Sequence, residues 1–182
     1  MPEQTDKKSA AFKAGFKTIA DICKERIRRA ASQIEKENNG HDSDLGFKAF
    51  VLDSTNVRRW DGQFSLTAQT LEESVSNIKP DRSDEDVVYE ILLKQGHEVT
   101  LQMNEHLFGK EKIFEIGMGA IVLCLSSSVT TGLIENIVRL RDNLSPEEMR
   151  VVFRDSGFKD DVAKTNAIQI LRQRGIEHVK TI

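Results

Sequence analysis

Cysteine, proline and aromatic residues are scarce in this chain of 182 residues, and no long apolar run occurs. The two cysteines, Cys23 and Cys124, stand far apart in apolar patterns, which points to buried free thiols rather than a disulfide or a metal pair. The longest apolar run, Ala120 to Leu125, is a buried strand's length and falls well short of the roughly 18 residues a membrane span needs. The polar N-terminus has no apolar centre of the kind a secretory signal carries, so the cytoplasm is the expected compartment. What is present is 38% hydrophobic and 30% charged residues, enough apolar material to build a core and too much for a disordered chain. The length suits one globular domain with an appendage. A formal net charge of −3 excludes a chain that is polybasic throughout.

The charge is unevenly spread. Residues 1–30 hold eight basic and four acidic side chains, net +4, against eighteen and twenty-five, net −7, in the remainder. Two pieces in different surroundings are implied, a basic helix over 1–40 and an α/β domain over 44–182. In the first, Ala11, Ala14, Ile19, Ile22, Cys23, Ile27, Ala30 and Ile34 recur at spacings of three and four, predicting an amphipathic helix from Ser9 to Glu37. Asn38-Asn39-Gly40 stops it, and His41 to Asp44 form a polar linker. Such a helix cannot bury its apolar face alone and must lie either on the rest of this chain or on material the chain lacks. From Leu45 to Asp53 the alternation of Leu45, Phe47, Ala49 and Val51 predicts a strand. Helices are predicted over 66–78 and 84–95, the latter opened by acidic residues and closed by Gly96. Lys112–Ile116 and Ala120–Leu125 are predicted strands joined by a hairpin at Gly117-Met118-Gly119. A helix capped by Ser126-Ser127-Ser128, a strand at 151–153, a helix over 160–174 and a strand at 178–182 complete the pattern. Alternating strands and helices imply an α/β fold with a small, largely parallel or mixed sheet layered with helices, preceded by the long amphipathic helix.

Few residues announce chemistry. His41, His97, His106 and His178 are scattered without metal spacing and are expected at the surface. Gly117-Met118-Gly119 precedes a strand instead of opening a helix, so it makes a turn and not a phosphate loop. Asp155, Asp160 and Asp161 lie where α/β folds often place ligands, and either gather a divalent cation or make turns and caps. Lys24, Arg26, Arg28 and Arg29 offer guanidinium forks and an ammonium to phosphates, or else form a solvated helix face. Arg58 and Arg59 follow a predicted strand beside Trp60, which suits packing better than base stacking. No histidine stands beside a nucleophile in a recognisable spacing.

Five stretches together resemble the C-terminal part of the modification subunit of type III restriction-modification systems, which are adenine-specific DNA methyltransferases. They are PEQTDKKSAAFKAGFKTIADICKERIRRA (2–30), DLGFKAFVLDSTNVRRWD (44–61), EDVVYEILLKQG (85–96), IFEIGMGAIVLCL (113–125) and VVFRDSGFKDDVAKTNAIQIL (151–171), in the family's order and over nearly all the chain. The resemblance implies an Asp-Pro-Pro-Tyr type loop for the flipped adenine and a Phe-x-Gly-x-Gly loop for S-adenosylmethionine. Neither exists here, since Pro2, Pro80 and Pro146 are never adjacent and no such glycine segment occurs. By resemblance both loops and the target-recognition region lie upstream, and Met1 starts inside a longer subunit just past a strand of its methyltransferase fold. The chain is therefore expected to be a non-catalytic fragment, with no catalytic, metal or cofactor-binding residue of its own. It would serve assembly of a homodimer that works with a restriction subunit and, through the full-length protein, with DNA. Backbone contacts are expected from Lys24, Arg26, Arg28, Arg29, Arg58 and Arg59. The alternatives are an independent DNA-binding module and, less favoured, a small metal-dependent α/β enzyme using Asp155, Asp160 and Asp161.

Overall fold

A reciprocal cap divides the helix that apolar spacing predicts as continuous. In the computed structural model, which describes residues 3–37, 44–58 and 78–182, α1 covers only Ala10–Lys13 and α2 runs from Ile19–Glu37. Between them Gly15 takes φ +97°, a conformation that ends a helix. The Asp21 amide then donates to the Thr18 hydroxyl at 3.1 Å while the Thr18 amide donates to the Asp21 carboxylate at 3.1 Å, so Thr-x-x-Asp starts a new helix. Residues before α1 fold back on this turn, with the Thr5 hydroxyl donating to the Phe16 carbonyl at 2.7 Å. The predicted stop and linker at 38–43 lie outside the described residues.

The chain divides into two compact units, Met1–Val51 and Leu52–Ile182. Residues 44–51, expected in the α/β domain, therefore belong with the helices. Their predicted strand is not formed: residues 44–53 carry no strand, and Val51 and Leu52 are 83% and 100% exposed. Alternation alone gives a segment two faces; a strand also needs a continuous ladder of backbone bonds to a neighbouring strand.

In the second unit, residues 53–57 lie against α3 (Asp84–Lys94). The Asn56 amide donates to Glu90 at 2.5 Å, the Thr55 hydroxyl donates to the same carboxylate, and the Asn56 side chain reaches the Asp86 carbonyl at 2.8 Å. Ser83 and Asp86 cap α3 reciprocally, and Gly96 at φ +76° follows its end. The helix predicted over 66–78 lies outside the described residues except for Ile78, which bridges to Val57.

The sheet comprises β1 (Met103–Phe108), β2 (Glu111–Ile116), β3 (Ile121–Cys124), β4 (Arg150–Phe153) and β5 (His178–Thr181), paired in that order. The first three form an antiparallel meander; β3, β4 and β5 are parallel, joined through α4 (Thr131–Leu144) and α5 (Asp161–Gln173). Two features differ from expectation. β1 is an additional strand, and α4 is capped by Thr130, whose hydroxyl accepts from the Leu133 amide at 3.3 Å, not by Ser126–Ser128. Pleating sends Ile113, Val122, Val151 and Phe153 to one face, against Leu133, Ile137, Ala167 and Leu171 of α4 and α5. Phe114, Ile116, Leu123 and Val152 point to the other, against Val87, Val88, Ile91 and Leu92 of α3. The class is α/β, a mixed sheet between helical layers, with an N-terminal helical unit. No helix among the described residues is long and apolar enough to cross a membrane.

Candidate functional site

Helix α2 carries the basic cluster expected to meet DNA, and three of its four cations already have carboxylate partners. Glu25 lies 2.8 Å from Arg29 and 4.0 Å from Arg28, while Asp21 is 3.7 Å from Lys24. Arg26 is exposed and has no carboxylate partner among the described residues. The Arg28 guanidinium also sits 5.9 Å from the Phe47 ring centroid, a cation–π distance. These pairs are exposed, so each contributes little to stability and exchanges readily for another anion. Arg58 is half-buried in the second unit, and Arg59 and Trp60 lie outside the described residues.

The same helix exposes an apolar stripe. No α2 residue is buried, and Ile19, Cys23, Ile27, Ala30 and Ile34 are all exposed. Cys23, expected to be a buried thiol, is thus at the surface, because the apolar pattern that suggested burial has no covering surface among the described residues. Cys124 is buried as expected, and burial pushes its thiol up to about 11.

At the C-terminal ends of the parallel strands the aspartates do not converge. Asp155 accepts from Lys164 at 2.6 Å, and that hydrogen bond, opposed by partial burial and aided by Thr181, holds its carboxyl below the usual range. Asp160 caps α5 by accepting from the Ala163 amide at 2.7 Å. Among the described residues no three His, Cys, Asp or Glu side chains gather as a metal site. The loop after β3 is closed by its own bonds: Ser126 pairs with Glu111, and the Val129 amide donates to the Gly157 carbonyl at 2.8 Å. Asp160 is thus a helix cap and Asp155 the ion-pair partner of Lys164.

Two histidines differ from the expected surface position, and His41 lies outside the described residues. His178 is exposed, but His97 and His106 are half-buried with Nε2 shielded from solvent. His106 belongs to a network that sequence reasoning missed. Glu115, 1% exposed, accepts from Asn104 at 2.6 Å and from the Gly119 amide at 2.6 Å, and His106 Nε2 lies 3.7 Å away. Glu115 thus pins the 117–119 turn to its own strand. Its signal was a lone charge inside the apolar run Ile113-Phe114-Glu115-Ile116.

That turn borders an open groove of about 930 Å³ at the opposite end of the parallel strands. Met118, Leu144 and Pro146 give it apolar surface, and Glu147, Glu148 and Glu177 give it negative charge. Glu148 is 3.1 Å from Arg150 and 3.3 Å from His178, whereas Glu147 and Glu177 have no ion-pair partner among the described residues. The chain thus presents a basic helix whose apolar stripe is exposed among the described residues, and an acidic groove with apolar surface. Against known proteins, it matches no family model and no curated protein.

Proposed function

We propose that this chain is a non-catalytic assembly piece of a type III restriction-modification adenine DNA methyltransferase, acting as a dimer scaffold and contacting the DNA backbone through α2. One observation carries the assembly role: Ile19, Cys23, Ile27, Ala30 and Ile34 form an exposed apolar stripe along a 19-residue helix. A stripe of that length favours contact with another surface over exposure to water. The ordered sequence resemblance supports the family. The sequence lacks both the loop for an extruded adenine and the glycine loop for S-adenosylmethionine, the two parts that methyl transfer in that family uses.

The purified chain, incubated with DNA and tritiated methyl donor, is expected to leave the DNA unlabelled; labelling without a companion protein overturns the proposal. Sedimentation equilibrium is expected to give a dimer. Replacing Lys24, Arg26, Arg28 and Arg29 with alanine in the full-length subunit should flatten the dependence of DNA affinity on salt, by about 0.9 in log–log slope for each phosphate no longer neutralised. An unchanged slope removes the DNA role and leaves the scaffold role.

A further inference from the structure

We propose that α2 of one copy docks into the acidic groove of a second copy, and that reciprocal docking makes a two-fold dimer. The proposal rests on the assembly role above and names its surfaces. Ile19, Cys23, Ile27, Ala30 and Ile34 follow one another at steps of four, four, three and four, the spacing of one helix face. At 3.6 residues per turn Arg26 borders that face on one side and Lys24 on the other. The groove has the complementary arrangement, with Met118, Leu144 and Pro146 beside Glu147 and Glu177, while Glu148 is already engaged by Arg150 and by the lining His178. Met118 is 76% exposed, at the tip of a turn held by the buried Glu115. An apolar helix face flanked by cations against an apolar trough edged with carboxylates is the helix-in-groove mode of recognition. Charge favours the pairing over like-charged alternatives, which are penalised. The two units carry matching imbalances: ten basic and eight acidic side chains, net +2, in Met1–Val51, and sixteen and twenty-one, net −5, in Leu52–Ile182. One helix face is small beside the roughly 1,600 Å² of a standard interface, and two-fold exchange doubles it.

Cys23 on the stripe supplies the probe. A tagged wild-type copy is mixed with an untagged Met118→Cys/Cys23→Ser copy and mildly oxidised. The expected product is a disulfide-linked pair of one tagged and one untagged chain. Arg26→Glu in the tagged copy should weaken association roughly tenfold at low salt, and Glu177→Arg in the other should recover most of it. If sedimentation gives a dimer but only wild-type Cys23 pairs with Cys23, helix meets helix; this inference falls and the assembly role stands. A dimer with neither crosslink nor charge-swap effect has the same meaning. A chain that stays monomeric overturns both, and a Met118→Cys single variant that loses both thiols without forming a linked dimer overturns exchange in favour of docking within one chain.

Discussion

Gly157 has no room for a side chain. An added Cβ would stand 2.3 Å from the Ser126 carbonyl oxygen, a backbone atom that cannot swing aside. Gly157→Ala must therefore push apart the loops after β3 and β4, and it should cost about 1–3 kcal/mol in urea unfolding, as overpacked sites do. Phe153, fully buried against α4, α5 and the Phe158 ring at 5.3 Å, is the opposite case. Phe153→Ala leaves a cavity and should cost about 3–5 kcal/mol by the same measurement. The two cysteines separate cleanly. Cys124 is buried with its thiol pushed up to about 11, so almost no thiolate exists at neutral pH, while Cys23 faces solvent. An aromatic disulfide reagent at pH 7.5 should leave Cys124 unmodified until the chain is denatured, and should reach Cys23 in the folded chain once dilution has dissociated it to monomer.

Single elements are held by a few polar clasps. Burial opposes ionisation of Glu90, but Lys94, the Thr55 hydroxyl and the Asn56 amide outweigh it and keep the carboxyl below its usual range. Glu90→Gln weakens the charge-assisted bonds that tie residues 55–56 to α3 and should cost about 1.5–3 kcal/mol of thermal stability. The helices and strands of the second unit were legible where pattern and punctuation agreed. Acidic residues opening α3 and Gly96 closing it, or Asp160 and Gly175 bracketing α5, fix both ends chemically. β1 escaped because Met103-Asn104-Glu105-His106-Leu107-Phe108 is a polar edge strand that borrows its order from β2. Leu45–Asp53 failed in the other direction: it has the alternation but forms no strand. The α1–α2 break was written in Thr18 and Asp21, a capping box overlooked because the apolar spacing runs through it. For the candidate site, the basic residues of α2 could be read directly, but their pairing with Glu25 and Asp21 depends on helical neighbours. The acidic groove could not be foreseen, because Glu147 and Glu177 are brought together only when β4 and β5 align.

For the molecule as a whole, several carboxylates set the response to acid. Arg82 holds Asp53 below its ordinary range, Lys164 does so for Asp155, the Thr18 hydroxyl for Asp21 and the Ser83 hydroxyl for Asp86, with Glu90 alongside them. A carboxylate with a lower folded than unfolded pKa stays ionised in the native state while the unfolded chain takes up a proton. Its contribution is complete above the unfolded value near 4 and disappears as pH falls through the folded one. Thermal midpoints should be flat from neutrality to about pH 5 and then decline, and Asp155→Asn or Glu90→Gln should make the decline shallower. The order of strands across the sheet has a different consequence. It repeats the order of strands along the chain, so every strand joins beside the one made just before it. During synthesis the meander emerges complete, and each later crossover only extends the growing border. No finished pair has to reopen for a latecomer, and the nascent chain can accrete its core in the direction in which the ribosome delivers it.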